Sequence, residues 1–146
     1  MSKILHQLIK SAVIFSSVFF ATSTFAAPQD WQQIKRPIPA ENGKAEPIGS
    51  YSNGCIIGAE PLPYKGEGYQ VIRMNKNRYY GHPDMIRYLQ RLGQRVKAAG
   101  LPTMLVGDIA MPGGGRFLTG HASHQMGLDA DIWLRMGSMS DTDALN

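Results

Sequence analysis

Side chains that could bind a metal ion are concentrated between His121 and Asp131. His121 and His124 lie three positions apart, and Asp131 follows His124 by seven positions. Gly127 argues against one continuous helix here, so the spacing differs from the paired histidines of an HExxH zinc helix. Imidazole nitrogens and a carboxylate oxygen are ligands that Zn²⁺ accepts. The spacing therefore indicates half of a possible metal site, with surface histidines and a solvated aspartate as the ordinary alternative.

The segment that would carry Asp131 alternates between apolar and polar residues from 128 to 134. This alternation predicts a β-strand with one face suited to a core and one face that carries polar groups. The predicted core face consists of Leu128, Ala130, Ile132 and Leu134, and the other face of Asp129, Asp131 and Trp133. A buried face does not tolerate two carboxylates without partners. We therefore expect the strand to present Asp131, the preceding loop to present His124, and Gly127 to permit the tight passage between them.

The clearest predicted element is a helix that begins near Pro83 and ends before Gly100. A proline in the first turn, an acid beside it and a glycine after the last turn are all favourable at these positions. An apolar stripe recurs at helical spacing, and it consists of Met85, Ile86, Leu89, Leu92 and Val96. His82 is interpreted as a cap or a surface residue.

Around this helix the sequence predicts short strands and irregular chain. Residues 27–68 are rich in proline and glycine, which allows turns and short edge strands but no long helix. Tyr69–Met74 and Met104–Val106 have the composition of strands. The glycine-rich stretch Pro112–Arg116 is interpreted as a turn that lines a cleft, with an ordinary surface loop as the alternative, and no phosphate-loop frame surrounds it.

Residues 1–26 have the pattern of a secretory signal peptide. A positive start with Lys3 and Lys10 precedes a short apolar run, and Thr24 and Ala26 fit a signal peptidase site. The alternative, an uncleaved membrane anchor, is disfavoured by the shortness of the run. Loss of the two lysines leaves 13 basic and 11 acidic side chains, a net charge of +2 over 27–146. This charge, without a dense Lys/Arg block, argues against nucleic acid as a partner, and after signal removal no membrane partner is expected.

Several motifs, in the same order along the chain, resemble the penicillin-insensitive murein endopeptidases. These zinc peptidases belong to a group that includes lysostaphin-type enzymes, D-alanyl-D-alanine dipeptidases and the zinc domain of hedgehog proteins. The pattern of this group is a His, a Gly three positions later and an Asp seven positions later, and His124, Gly127 and Asp131 match it. The similarity begins near residue 31, ends near residue 134 and includes the segments 48–56, 78–84, 106–117 and 114–131.

The resemblance implies a fold and a set of site residues. The fold is α+β, a small antiparallel sheet with helices packed to one side. His124 and Asp131 would be zinc ligands, and His121 would be a further ligand or a partner of one. Cys55, the only cysteine, would pair with a family cysteine further downstream, although a free thiol or an intermolecular bridge is also open from the sequence. Arg116 could contact a substrate carboxylate, with a salt bridge inside its own loop as the alternative.

The implied activity is zinc-dependent cleavage of the D-alanyl–diaminopimelate crosslink peptides of peptidoglycan in the periplasm. The third ligand and the catalytic histidine of the family come from a downstream H-x-H motif, which this sequence lacks. We therefore interpret residues 27–146 as the N-terminal part of a zinc metallopeptidase domain, from a truncated or partial sequence, with no catalytic residue of its own. We expect weak zinc binding and little or no hydrolysis. The alternatives are a non-catalytic zinc- or cell-wall-binding module of the same fold and a product that does not fold stably. A serine nucleophile at Ser123 is not expected, because neighbouring loop residues rarely align with each other.

Overall fold

The structure is a computed structural model that describes residues 30–146. The predicted signal peptide, residues 1–26, lies outside the described residues. Within residues 30–146, no helix is long and apolar enough to cross a membrane.

Short strands and one long helix make up the fold. The strands are β1 (Glu46–Ser50), β2 (Asn53–Ile57), β3 (Glu60–Pro61), β4 (Lys65–Gly66), β5 (Tyr69–Val71), β6 (Tyr80–Gly81) and β7 (Met104–Val106). The helices are α1 (Pro83–Ala98) and α2 (Asp141–Leu145), with 3-10 turns at Trp31–Gln33 and Met74–Lys76. The predicted α+β class is confirmed, and the strands are divided among three small sheets, ordered β1-β2, β3-β6 and β4-β5-β7.

The helix α1 begins and ends where the sequence predicts. His82 is its N-cap, with the ring Nδ1 accepting a hydrogen bond from the backbone N–H of Asp84 at 3.2 Å. At the other end, Gly100 has a φ of +65° and the N–H of Leu101 donates to the carbonyl of Val96, as in a glycine-terminated helix. The predicted stripe faces the core, whose buried members are Leu62, Tyr69, Val71, Ile86, Leu89, Met104, Val106 and Ile109.

The pairing of β5 with β7 is parallel, whereas the other strand pairs are antiparallel. A parallel pair needs a long crossover connection, and α1 lies in the chain between the two strands. The strand predicted over Tyr69–Met74 is shorter in the structure, because β5 ends at Val71 and Arg73 adopts a left-handed conformation with φ +59°. The strand predicted at Met104–Val106 is confirmed, and all three of its residues are buried.

The strand predicted over residues 128–134 is wrong in its extent and in its buried face. Only Ile132 forms a β-bridge, with Val106. Three of the four side chains predicted to face the core are exposed, at 44% for Leu128, 39% for Ile132 and 101% for Leu134. Alternation shows which side chains share a face, but it does not show whether another layer covers that face.

Candidate metal centre

His121, His124 and Asp131 come together in the structure, as their spacing predicted. One possible ligand atom from each residue lies within 4.8 Å of the other two. The Nε2 atom of His124 lies 3.4 Å from Oδ1 of Asp131, and the Nε2 atom of His121 lies 3.4 Å from Oδ2 of the same carboxylate. Both imidazoles therefore approach the aspartate, one at each of its oxygens.

The separations can be compared with the geometry of a bound ion. With Zn–N and Zn–O bonds of ~2.0–2.1 Å, neighbouring ligand atoms on a tetrahedron are ~3.3–3.4 Å apart. The 3.4 Å between His124 Nε2 and Asp131 Oδ1 matches this edge. The three atoms lie within 4.8 Å of one another, which is longer than a tetrahedral edge, so they have to draw closer to share one ion. The side chain of His121 is the most exposed of the three, at 47%, and has the most room to move.

The imidazole of His124 is buried without a hydrogen-bond partner. The residue is 2% exposed, and within residues 30–146 neither ring nitrogen forms a hydrogen bond. A buried polar atom without a partner is costly. A cation bound at Nε2 would satisfy this atom, so the donor set is compatible with a metal ion.

The backbone of His124 is unusual for a residue with a side chain. Its φ is +70°, in the left-handed region, which costs roughly 1–2 kcal/mol for a non-glycine residue. Gly127, three residues later, also has a positive φ, +66°, and its carbonyl accepts a hydrogen bond from the N–H of His82 at 2.9 Å. A Cβ at Gly127 would lie 2.8 Å from the Cα of Gly81. The predicted tight passage at Gly127 is therefore confirmed, and it ties the histidine loop to the start of α1.

Asp131 is held by its backbone against the chain that follows β7. Its N–H donates to the carbonyl of Asp108 and its carbonyl accepts from the N–H of Gly107, both at 2.9 Å. The segment is thus extended and paired, although it is not a regular strand. The neighbouring acid Asp129 brings Oδ2 to 2.8 Å from Nδ1 of His124, off the direction of a hydrogen bond. This carboxylate is placed to orient the ring, as carboxylates often do beside metal-binding histidines.

A second charged cluster, which the sequence did not predict, lies beside the candidate site. Asp108 is 1% exposed and pairs with the guanidinium groups of Arg78 at 2.9 Å and Arg73 at 3.4 Å. The guanidinium of Arg78 lies 3.9 Å from the ring centre of Phe117, and Phe117 stacks on the imidazole of His124 with ring centres 5.8 Å apart. The sequence signal was an acid two positions after the apolar segment Met104–Val106.

The glycine-rich loop Pro112–Arg116 is buried up to residue 115, so the surface-loop alternative is wrong. A Cβ at Gly114 would lie 2.1 Å from the carbonyl oxygen of Gln125, and a Cβ at Gly115 would lie 2.0 Å from the ring of Trp31. Both glycines have positive φ values, +69° and +76°. The loop is therefore enclosed between the N-terminal chain and the turn that follows His124.

Arg116 and Cys55 line the same open cavity of about 460 Å³ next to this loop. Arg116 is exposed, and within residues 30–146 it forms no salt bridge, so the alternative of an ion pair inside its loop is not observed. Cys55 lies on β2, half-buried, and burial raises the pKa of its thiol. Because the chain has no second cysteine, the disulfide that the resemblance implies stays a prediction.

Comparison with known proteins finds the same family that the motif of His124, Gly127 and Asp131 resembles. Residues 47–146 match the family model described as penicillin-insensitive murein endopeptidase. The chain is 78% identical over 139 residues to the penicillin-insensitive murein endopeptidase of Haemophilus influenzae, which covers 95% of this chain and 48% of the relative. It is 47% identical over 135 residues to the protein of the same name from Escherichia coli O1:K1, covering 92% of this chain and 48% of the relative. The chain thus spans about half the length of the curated relatives it matches. Since the family model covers most of the chain, the chain belongs to the penicillin-insensitive murein endopeptidase family.

Proposed function

We propose that this chain carries the first part of the metal centre of a periplasmic zinc endopeptidase that cleaves D-alanyl–diaminopimelate crosslinks of peptidoglycan. The observation that carries the proposal is the buried Nε2 of His124, which lies 3.4 Å from Asp131 and has no hydrogen-bond partner within residues 30–146. The names of the relatives, which are murein endopeptidases, support the substrate and the reaction class.

In this proposal His124 and Asp131 hold the ion, and His121 joins them from the exposed side. Bound zinc would polarise the scissile carbonyl and lower the pKa of a bound water. Asp129 orients the imidazole of His124 through its contact at Nδ1. Phe117 covers that ring and keeps it in place.

Zinc stoichiometry tests the proposed ligands. The purified chain, loaded with zinc and desalted, is expected to retain metal, and His124→Ala and Asp131→Ala are expected to lose it. His82→Ala is the matched control, because His82 caps α1 and should leave the metal content unchanged. Unchanged zinc content in both ligand variants would show that the ion is held elsewhere.

A non-catalytic module that binds zinc or the cell wall is the second candidate. It is favoured by one observation, which is that the His–His–Asp cluster lies entirely within residues 30–146 and could hold an ion without further residues. Sedimentation with purified sacculi distinguishes the two functions. Chelator-sensitive co-sedimentation without release of crosslinked fragments supports the module, and release of fragments supports the peptidase.

Export to the periplasm is proposed from the signal-peptide pattern of residues 1–26. Cell fractionation should place the chain in the periplasmic fraction. N-terminal sequencing of that fraction should begin at Ala27, and a cytoplasmic chain that still begins at Met1 would contradict export.

A further inference from the structure

The left-handed conformation of His124 needs neighbours that impose it. A residue with a side chain keeps a positive φ only where the surrounding structure over-determines it. The ring of His124 makes no hydrogen bond within residues 30–146, and its stacking on Phe117 positions the ring without fixing the backbone torsion. The constraint must come from the backbone on either side, and the next residue, Gln125, is the best-bonded polar side chain in this turn.

The side-chain amide of Gln125 connects two separate pieces of chain. Its Nε2 donates to the carbonyl of Ala122 at 2.8 Å and to the carbonyl of Ser52 at 2.8 Å. Its Oε1 accepts from the N–H of Gly54 at 3.1 Å. Both donors of the amide and its oxygen are thus in use. The residue is 3% exposed, so water does not replace these bonds easily.

The backbone of Gln125 is fixed as well. Its carbonyl accepts from the N–H of Gly115 at 3.1 Å, at the point where the glycine-rich loop passes closest. The side chain is anchored to the β1–β2 hairpin, at Ser52 in its turn and at Gly54 on β2, and β2 is itself bonded to this loop through Ile56 N–H and the carbonyl of Gly113. The peptide between His124 and Gln125 is therefore held on both sides, and rotation about the backbone of His124 would break these bonds.

We propose that Gln125 is a positioning residue for the metal centre, which holds His124 in the left-handed conformation that directs its Nε2 towards Asp131. The inference rests on the proposed function for the identity of the ligands. The side-chain amide of Gln125 is already used in its bonds to Ala122, Ser52 and Gly54, so it acts on the site through the backbone of the histidine loop. The same bonds connect the β1–β2 hairpin to the site, so distortion of that hairpin would reach the metal through this side chain as well as through the glycine-rich loop.

The test replaces the amide by an apolar chain of similar length. In Gln125→Met we expect zinc affinity to fall about tenfold or more, as it does when other residues that orient metal ligands are changed. With Co²⁺ in place of zinc, the visible absorption bands should shift and weaken, because one ligand is no longer held in place. Gln94→Met is the matched control, since Gln94 lies on the exposed side of α1.

A second measurement reads the position of His124 without metal. In the chelated protein, modification by diethyl pyrocarbonate should reach the exposed His121 and spare His124 in the wild type. Gln125→Met should expose His124 to modification, as detected by peptide mass. If this variant does not fold by circular dichroism, Gln125→Asn is measured instead, because its amide is one methylene too short to keep all three bonds.

The outcomes separate this inference from the proposed function. A lower melting temperature with unchanged zinc affinity, Co²⁺ bands and His124 protection would mean that Gln125 only stabilises the fold, and the inference would be overturned. If the wild type binds no zinc, the proposed metal centre fails. The modification result then decides alone, with newly exposed His124 supporting the positioning role and unchanged protection refuting it.

Discussion

At the scale of single residues, Asp108 combines a charge with nearly complete burial. It lies against the guanidinium groups of Arg73 and Arg78, and its backbone carbonyl holds the N–H of Asp131. Charges that leave water need partners, and removal of one partner leaves the others uncompensated. Within residues 30–146, this carboxylate is the acid that pairs with both arginines.

Asp108→Asn should therefore destabilise the chain by about 3 kcal/mol, since it leaves two guanidinium groups facing a neutral amide. Urea unfolding followed by circular dichroism measures the change. Glu41→Gln, an exposed acid that forms no salt bridge within residues 30–146, is the control and should change little. If Asp108→Asn lowers the free energy of unfolding no more than Glu41→Gln does, the ion pairs of Asp108 with Arg73 and Arg78 make no net contribution to stability.

Spacing predicted the His–His–Asp cluster but not the residues that support it. The grouping of His121, His124 and Asp131 could be predicted because all three lie in one short stretch of chain. Residues that are close in sequence have few ways to be far apart in space. The contacts of Gln125 with Ser52 and those of Asp108 with Arg78 cross long stretches of sequence, and local patterns carry no information about such contacts. The positive φ of His124 was also not predicted, because histidine is enriched in the left-handed region but most histidines do not adopt it.

At the scale of elements, α1 passes unusually close to the β4–β5 turn at Gly93. A Cβ at this position would lie 2.5 Å from the carbonyl oxygen of Glu67 and 2.7 Å from the ring of Tyr69. The backbone oxygen cannot move away as a flexible side chain could. A helical glycine is therefore required here by the distance between elements, in spite of its low helix propensity.

Gly93→Ala should destabilise the chain by about 1–3 kcal/mol, because the overpacking cost exceeds the gain of up to about 1 kcal/mol in helix propensity. Thermal and urea unfolding measure the difference. Gln94→Ala on the exposed face of α1 is the control, because it raises helix propensity slightly and introduces no clash, and it should be neutral or slightly stabilising. If Gly93→Ala is more stable than the wild type, α1 and the β4–β5 turn can move apart at little cost.

The first residue of the short helix α2, Asp141, bonds to side chains near β4, and its carboxylate loses its charge at low pH. Asp141 accepts hydrogen bonds from Lys65 Nζ at 2.7 Å and from the hydroxyl of Tyr64 at 3.0 Å. The hydrogen bond from Lys65, and then that from Tyr64, lower the pKa of Asp141 below its ordinary value of 3.8. A carboxyl with a lowered pKa in the folded state stabilises the fold above its unfolded pKa, and this contribution is lost as the pH falls through the folded value.

We therefore expect α2 to loosen as the pH falls below 3.8, the ordinary pKa of this group. The amide signals of Asp141–Leu145 in NMR spectra should shift towards those of unstructured chain. Because both partners are exposed, the effect should be modest and should weaken in high salt. In Asp141→Asn, the amide signals of Asp141–Leu145 should already be shifted towards unstructured chain at neutral pH. If these signals in the variant still shift with falling pH as they do in the wild type, another carboxyl causes the shift.

Helices and strands could be predicted where nearby residues in the sequence determine them. The prediction failed where it required knowing which part of the chain packs over a strand face. Helix α1 has a proline start, a glycine end and an apolar stripe, so its bounds follow from the sequence. The segment 128–134 has an equally clear alternation, yet Leu134 is fully exposed and only Ile132 forms a bridge. The parallel pairing of β5 with β7 was not predicted either, because strand direction is decided by the crossover through α1.

At the scale of the whole molecule, the candidate metal centre opens to solvent beside exposed apolar side chains. Asp131 is one-third exposed and His121 about half, while Trp133, two residues from Asp131, is 39% exposed. Zinc in a catalytic site takes three protein ligands and a water. In the proposed centre His124 and Asp131 would supply two of these ligands at matching distance, so the zinc affinity of the chain would depend on whether His121 closes onto the ion.

We expect the 146-residue chain to hydrolyse sacculi little or not at all, because proton transfer during peptide cleavage needs a general acid and base near the metal. Within residues 30–146 the histidines are His82, which caps α1, and the two in the cluster. Sacculi incubated with the chain and zinc, with and without chelator, are analysed for released fragments by chromatography. The full-length Haemophilus influenzae relative, 78% identical over the matched part, is the positive control. Robust chelator-sensitive cleavage by the 146-residue chain would refute the expectation and would show that the three clustered side chains suffice for both metal binding and proton transfer.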